Sequence, residues 1–142
     1  MLVGVSKAQI KNLPGEIIGV ERTESIDELA NFYSVADVFV NPTFEDTFPT
    51  TNLEALACGT PIITYNTGGS IESVNEDTGF VVEKNDVSGL LNAIYTVHKK
   101  GKMWFFDNCR KSAIENFNNM DKFNDYLNLY RELLSRQFDE SK

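Results

Sequence analysis

Short runs of β-branched and aromatic residues alternate along the chain with longer stretches in which apolar residues recur every three to four positions. The short runs are typical of buried strands, and the longer stretches are typical of amphipathic helices. Their alternation predicts an α/β fold with a doubly wound parallel sheet of about five strands, followed by C-terminal helices. The predicted strands cover residues 2–5, 16–21, 37–41, 61–65 and 79–83.

The first helical patterns lie between these strands. A helical turn is predicted over 7–12, and Ser25 with Glu28 three positions later resembles a capping box that opens a helix ending near Val35. Another helix is predicted over 87–98. Its inward side would consist of Leu90, Leu91, Ile94 and Tyr95.

The C-terminal third of the chain has a wholly helical pattern, over 102–135, with a break near 118–121. Apolar side chains recur in it at helical spacing, which usually indicates core packing. We expect residues 1–101 to form the α/β core and residues 102–142 to pack on the same domain. The apolar positions are Trp104, Phe105, Cys109, Ala113, Phe117, Phe123, Tyr126, Leu127, Tyr130 and Leu133.

The stretch between the third and fourth strands, residues 42–61, predicts an acidic loop followed by a short helix. Pro49 suits the first turn of that helix, with Thr47 or Phe48 as the cap, and Gly59 supplies a C-terminal stop. The helix would bury a face made of Leu53, Leu56 and Ala57.

This loop and helix lie at the carboxyl end of a strand, where open parallel sheets form their ligand crevice. Free amides near Thr50 and Thr51, at the positive end of the helix dipole, suit a phosphate. The carboxylates of Asp46 and Glu54 would repel a phosphate but can accept hydrogen bonds from sugar hydroxyls. The pattern therefore favours a nucleotide-sugar over a free nucleotide. Acidic residues near a helix N-terminus also have a purely structural interpretation, since they complement the dipole.

Composition narrows the functional classes. The chain has 142 residues, of which 42% are apolar and 24% charged, as expected for one globular domain. Its formal net charge of −8 argues against nucleic acid or an anionic membrane as the main partner. No apolar run suggests a membrane span or a signal peptide, and Cys58 and Cys109 lack metal or redox spacing. We expect a cytoplasmic protein with reduced thiols and a solvated His98.

The same loop carries a family resemblance. Asp46, seven intervening residues and Glu54 are followed by Ala-Leu-Ala-Cys-Gly-Thr-Pro at 55–61 and Thr-Gly-Gly-Ser-Ile-Glu at 67–72. This pattern resembles the signature of the glycosyl transferases group 1, the retaining glycosyltransferases of family four. Those enzymes have the GT-B architecture, two Rossmann-like domains across a cleft, with a Glu-x7-Glu motif in the C-terminal, donor-binding domain. The resemblance covers nearly the whole chain and implies an incomplete half of a GT-B enzyme.

The resemblance implies a role for each matching position. Asp46, which stands where the family has Glu, would contact the donor hexose as the catalytic carboxylate. Thr50 and Thr51 would hold the diphosphate through their amides, and Glu54 would bind the ribose. Pro49 stands where the family has Gly, so loop shape and sugar preference are expected to differ. Further donor contacts would come from Thr47, Phe48, Gly68, Gly69 and, beside the base, Arg22.

The implied reaction is transfer of a hexose from a nucleotide-diphospho-sugar to a glycan or lipid-linked acceptor, in cell-surface polysaccharide synthesis. No metal or other cofactor is expected, and the full enzyme could lie peripherally on the inner face of the membrane. The family's first strand and helix, with a Gly-Arg and a Lys that neutralise the diphosphate, have no counterpart here, and neither has the N-terminal acceptor domain. The isolated chain is therefore expected to be inactive.

The resemblance also implies surfaces without partners. In GT-B enzymes the final helix crosses to the N-terminal domain, so some C-terminal aromatic side chains are expected to be exposed here. The missing family strand lies centrally in the sheet, so its flanking strands would either meet directly or leave an open edge. A homo-oligomer formed through that edge or through the aromatic helices is one expectation.

Three alternatives remain open at this stage. A non-catalytic nucleotide-sugar binding module would use the same crevice without chemistry. A related GT-B epimerase or glycan phosphorylase fits the acidic loop less well, and the phosphorylase's pyridoxal-linked Lys has no evident place. A response-regulator-like domain would need an Asp at the end of a strand, whereas Asp37 begins one.

Overall fold

A computed structural model describes the backbone of residues 1–139 and the surroundings of side chains 1–136. Strands and helices alternate as predicted, and two long helices end the described chain. The elements are β1 (Leu2–Val3), α1 (Lys7–Ile10), β2 (Gly19–Val20), α2 (Ile26–Val35), β3 (Phe39–Asn41), α3 (Thr50–Ala57), β4 (Ile62–Tyr65), a 3₁₀ helix (Gly68–Ser73), β5 (Gly79–Val82), α4 (Val87–Lys100), α5 (Lys102–Phe117) and α6 (Asn119–Asp139).

The five parallel strands confirm the predicted α/β class, but they form two sheets instead of one. β1 pairs with β2, and β3, β4 and β5 pair in that order. The predicted six-residue second strand is reduced to two residues, Gly19 and Val20. β1 buries little apolar surface, since Leu2 is 43% exposed and Val3 42%. The family resemblance left two alternatives for the strands that flank the missing family strand: direct pairing or an open edge. Among the described strands β1 and β3 do not pair, so the open edge is the alternative observed.

The core lies against β4, whose four residues are all buried. Ile62 and Ile63 are fully buried, together with Leu56 of α3 and Phe105 of α5. β5 approaches β4 so closely that a Cβ on Gly79 would lie 1.9 Å from the carbonyl oxygen of Ile62. The core is therefore formed by the three-stranded sheet and the helices α3, α4 and α5, and Tyr33 of α2 is buried against it.

The predicted inward face of α4 is partly wrong. Leu90 and Ile94 pack against the core, but Leu91 is 60% and Tyr95 65% exposed. Ala93 and Val97 are buried instead. These four inward residues have the i, i+3, i+4, i+7 spacing of a single helix face, and the small Ala93 lets the helix approach the sheet.

The two C-terminal helices differ in burial. α5 buries Phe105, Cys109 and Ser112, whereas α6 leaves its apolar side chains largely exposed, as predicted for the C-terminal aromatics. The exposed side chains of α6 are Met120, Phe123, Tyr126, Leu127, Leu129, Tyr130, Leu133 and Leu134. In the part of the chain that is described, no helix combines the length and the apolar character that crossing a bilayer requires.

The two cysteines are expected to differ in reactivity. Burial raises the pKa of the Cys109 thiol to about 12, and this thiol donates to the carbonyl of Thr78 at 3.8 Å. Cys58 is only partly buried. Because the thiolate is the nucleophile, iodoacetamide at pH 8 should modify Cys58 in the native protein and Cys109 only after unfolding. Mass spectrometry with and without guanidinium tests this, and native modification of Cys109 at the rate of Cys58 would contradict it.

Candidate functional site

The helix that opens the site begins one residue later than predicted. Pro49 occupies the N-cap position with extended backbone, and α3 starts at Thr50. The predicted caps, Thr47 and Phe48, are wrong. Proline contributes no side-chain acceptor, so no side chain caps this helix among the described residues. Thr50 and Thr51 are exposed, and no backbone partner within the described chain accepts from their N–H groups, whereas the N–H of Asn52 donates to the carbonyl of Pro49 at 3.1 Å.

The buried face of α3 also differs in part. Leu56 is fully buried as predicted, but Ala57 is exposed and Asn52 and Ala55 are buried. The predicted stop at Gly59 is confirmed. Its N–H donates to the carbonyl of Leu56 at 2.9 Å, and the next N–H, of Thr60, donates to that of Ala55 at 2.9 Å. This pair of bonds is a Schellman motif.

The acidic loop that precedes α3 in the chain lines a cavity. A depression of about 550 Å³ is lined by Glu45, Asp46, Thr47, Thr67 and Gly68. Asp46 is half-buried, and its Oδ1 accepts a hydrogen bond from the N–H of Phe48 at 3.0 Å. Among the described residues no hydrogen bond is made to its other oxygen, Oδ2. Because the lining carries two carboxylates, hydroxyl donors suit this cavity better than anions.

The glycine pair after β4 packs directly on this loop. A Cβ on Gly68 would lie 2.0 Å from the carbonyl oxygen of Asp46, and one on Gly69 would lie 2.1 Å from that of Thr47. The N–H of Gly69 donates to the Thr47 carbonyl at 3.0 Å, and Thr67 Oγ1 donates to the carbonyl of Phe44 at 2.8 Å. The two glycines are therefore required by the close approach of two backbones, and this approach shapes the cavity.

A buried amide that the sequence analysis did not single out joins the elements around the site. Asn52 Oδ1 accepts from Asn41 Nδ2 at 3.0 Å, and Asn52 Nδ2 donates to Ser73 Oγ at 2.9 Å. The side chain of Asn52 is fully buried. It links the end of β3, the first turn of α3 and the 3₁₀ helix. The sequence offered one signal for this contact. An Asn stands at the end of a predicted strand, and another follows eleven residues later in the first turn of a predicted helix.

The second carboxylate faces another element. Glu54 is half-buried, and its Oε2 accepts from the hydroxyl of Tyr33 on α2 at 3.0 Å. Glu54 is not among the residues that line the cavity beside Asp46. The structure thus brings Asp46, Thr47 and Gly68 together, and it places Glu54 against Tyr33.

The remaining predicted site residues lie at two places. Phe48 packs on Phe117 of α5, with ring centroids 6.0 Å apart. Arg22 is exposed after β2 and lines a separate depression of about 410 Å³ with Glu21, Thr23 and Glu24. The described residues contain no group of three or more histidine, cysteine, aspartate or glutamate side chains that could hold a metal ion.

Comparison with solved structures identifies the class of protein. The fold matches sucrose-phosphate synthase from Thermosynechococcus elongatus with a TM-score of 0.78 and 31% sequence identity, over 91% of this chain and 33% of that one. This likeness places the chain among glycosyltransferase domains of the GT-B class. Residues 1–100 match the family model described as "Glycosyl transferases group 1", and the chain belongs to that family, as the resemblance implied.

Curated relatives agree with this family. The chain is 39% identical over 70 residues to the capsular polysaccharide biosynthesis glycosyltransferase CapM of Staphylococcus aureus, covering 49% of this chain and 18% of CapM. It is 30% identical over 110 residues to the UDP-Gal:alpha-D-GlcNAc-diphosphoundecaprenol alpha-1,3-galactosyltransferase of Escherichia coli, covering 76% of this chain and 28% of that enzyme. The chain thus spans less than a third of the length of either relative.

Proposed function

We propose that this chain is the donor-binding portion of a retaining hexosyltransferase, which transfers a hexose from a nucleotide-diphospho-sugar to a glycan or lipid-linked acceptor. The main support for the proposal is that two features of the candidate site follow each other closely in the chain. The acidic loop with Asp46 lines a cavity, and the uncapped start of α3 follows it after four residues. One feature suits sugar hydroxyls and the other suits a diphosphate.

The donor would lie across these features. The amides of Thr50 and Thr51 would hold the diphosphate, and Asp46 would accept hydrogen bonds from the hexose beside Gly68 and Gly69. Thr47 and Phe48 would border the donor, and Glu54 would bind the ribose. Arg22 would contact the base, and its separate depression supports a contact distinct from the sugar pocket.

The chemistry proposed for this site is electrostatic. Retaining transfer develops positive charge on the hexose and negative charge on the departing diphosphate. The carboxylate of Asp46 would stabilise the first, and the positive end of α3 would stabilise the second. We propose that no metal or other cofactor takes part. Because the chain spans less than a third of the length of the two relatives, this chain alone is proposed to bind its donor weakly and not to turn over.

The acceptor, the pathway and the cellular location are proposed from general features of the chain and from the names of its relatives. An acceptor would bind through a partner N-terminal domain, and the exposed apolar face of α6 supports contact with a further protein surface. One relative is named for capsular polysaccharide biosynthesis and the other as an alpha-D-GlcNAc-diphosphoundecaprenol galactosyltransferase. These names support a role in cell-surface polysaccharide synthesis. The free cysteines support a reducing compartment such as the cytoplasm.

Amide chemical shifts test the donor site in the full chain. UDP, GDP and ADP, and the UDP-sugars of glucose and galactose, are titrated into ¹⁵N-labelled protein up to about 10 mM, a range that captures weak binding. The amides of Thr50, Thr51, Gly68 and Gly69 should shift saturably with at least one nucleotide. A lack of saturable shifts at all four amides would contradict the proposal.

Two further measurements divide the proposal into its parts. Asp46→Asn should remove the affinity that a hexose adds to the nucleotide, whereas Glu115→Gln, an equal charge change on the exposed face of α5, should not. Mass spectrometry of the same mixtures with a glycan acceptor should show no steady transfer. Steady transfer by this chain alone would contradict its assignment as the donor-binding portion, and binding that never leads to transfer when an N-terminal half is supplied would favour a non-catalytic module.

A further inference from the structure

We infer that Tyr33 is a positioning residue, which holds the carboxylate of Glu54 in the orientation that receives the donor ribose. This inference rests on the proposed function, because Glu54 has a ligand only if the chain binds a nucleotide-sugar. The observation is the hydrogen bond of 3.0 Å from the Tyr33 hydroxyl to Glu54 Oε2, which joins α2 to α3 across 21 residues of sequence.

The position of Tyr33 is restricted by ring packing and by hydrogen bonds to its backbone carbonyl. Its side chain is only 8% exposed, and its ring packs edge-on against Phe39 of β3 with centroids 5.3 Å apart. Its carbonyl accepts from Thr60 Oγ1 at 2.6 Å and from Lys102 Nζ at 3.2 Å. The phenol therefore has one well-defined position, and a group bonded to it acquires a defined position as well.

The Tyr33 phenol is protonated near neutral pH and can therefore donate a hydrogen bond. Burial, and next the negative charge of Glu54, raise the pKa of Tyr33 well above its usual range. A protonated phenol has one hydrogen to donate, and Glu54 Oε2 receives it.

This hydrogen bond gives the two carboxylate oxygens of Glu54 different roles. Oε2 is turned toward Tyr33, and Oε1 is left to accept from a ribose hydroxyl. Without the phenol, a half-buried Glu has three rotatable bonds and would sample several orientations. Restricting those orientations before the ligand arrives raises affinity for the group that the free oxygen recognises. The signature of Tyr33 should therefore be a change in ribose recognition and not only in stability.

The experiment compares ribonucleotides with deoxy analogues on the full chain. UDP, GDP and ADP are each titrated beside their 2′-deoxy and 3′-deoxy counterparts, and the amide shifts of Thr50 and Thr51 give the dissociation constants. The wild type should bind at least one ribonucleotide about tenfold more tightly than one of its deoxy forms, since a hydroxyl that donates to a carboxylate makes a charge-assisted bond. We call the dissociation constant of the deoxy form divided by that of the ribonucleotide the ribose ratio. Tyr33→Phe should reduce this ratio to about threefold or less.

Tyr65→Phe serves as the matched control, because Tyr65 is a β4 side chain of similar burial, 6% exposed. This variant should keep the wild-type ratio. Glu54→Ala should abolish the ratio, and the double variant Tyr33→Phe/Glu54→Ala should lose nothing further, because Tyr33 acts through Glu54. Phenylalanine keeps the ring contact with Phe39, and a dispersed amide spectrum verifies the fold.

The outcomes separate this inference from the proposed function. If Glu54→Ala abolishes the ratio and Tyr33→Phe retains it, the positioning role is wrong and the role of Glu54 stands. If the double variant binds less tightly than Glu54→Ala alone, Tyr33 acts independently of Glu54 and the inference is wrong. If no nucleotide shifts the amides of α3, the proposed function fails, and the inference fails with it.

Discussion

Gly59→Ala is expected to lower the free energy of unfolding by about 2–5 kcal/mol, the sum of a left-handed backbone penalty and an overpacking penalty. Gly59 ends α3 with a φ of +70°, a conformation that costs alanine roughly 1–2 kcal/mol. A Cβ there would lie 2.3 Å from Cδ2 of Phe106, so the ring would have to move. That displacement adds about 1–3 kcal/mol.

Gly101→Ala shows a backbone penalty without a clash. Gly101 has a φ of +81° and a ψ of 147°, and an added Cβ would meet nothing within 4 Å. Because almost only glycine adopts this conformation, the substitution should cost a backbone penalty of about 1–3 kcal/mol and nothing for packing. Urea unfolding followed by far-UV circular dichroism measures both variants. A loss below about 2 kcal/mol in Gly59→Ala, no more than the left-handed backbone penalty alone, would show that the ring of Phe106 moves aside without cost, contrary to the expectation.

Gly69→Ala is expected to weaken nucleotide-sugar binding by tenfold or more, and also to reduce stability by about 1–3 kcal/mol. The added Cβ would lie 2.1 Å from the carbonyl oxygen of Thr47, and no side-chain rotation relieves a clash with backbone. The loop that carries Asp46 would have to move away, and the bond from the Gly69 N–H to Thr47 would lengthen or break. The pocket would then lose its shape at the donor hexose.

Gly15→Ala is the control for the loop variant, because an added Cβ at Gly15 would meet nothing within 4 Å. It should bind nucleotide-sugars as the wild type does. Amide spectra of Gly69→Ala should shift at Asp46 and Thr47, and titration with UDP-glucose and UDP-galactose measures the affinity. Wild-type affinity with unchanged loop resonances would disprove the proposed coupling between the glycine pair and the acidic loop.

Local sequence signals predicted those parts of the fold that local physics decides. The Ser25 hydroxyl accepts from the N–H of Glu28 at 3.0 Å, as the predicted cap requires, although Glu28 itself accepts from the N–H of Glu24 instead of closing the box on Ser25. Gly59 stops α3 because a left-handed residue is needed within one turn of the helix end. These features depend on residues a few positions apart, which a sequence pattern records directly.

Predictions that depended on the packing angle of an element were less accurate. The sequence pattern placed Leu91 and Tyr95 on the inward face of α4, whereas the helix is rotated so that Ala93 and Val97 meet the sheet. The φ of proline fits both a first helical position and a cap, and Pro49 is a buried residue at the cap position, with extended backbone. Such choices are made by neighbouring elements, whose positions a single sequence does not state.

The candidate site shows the same division. The sequence by itself determined the order of strand, acidic loop and helix, because proline, glycine and β-branched residues impose their conformations locally. Only the tertiary structure decided that Asp46 shares its cavity with Gly68 and that Glu54 turns to Tyr33. The physical reason is that these contacts join residues about twenty positions apart, and the docking of α2, α3 and the 3₁₀ helix on one sheet brings them within hydrogen-bond distance.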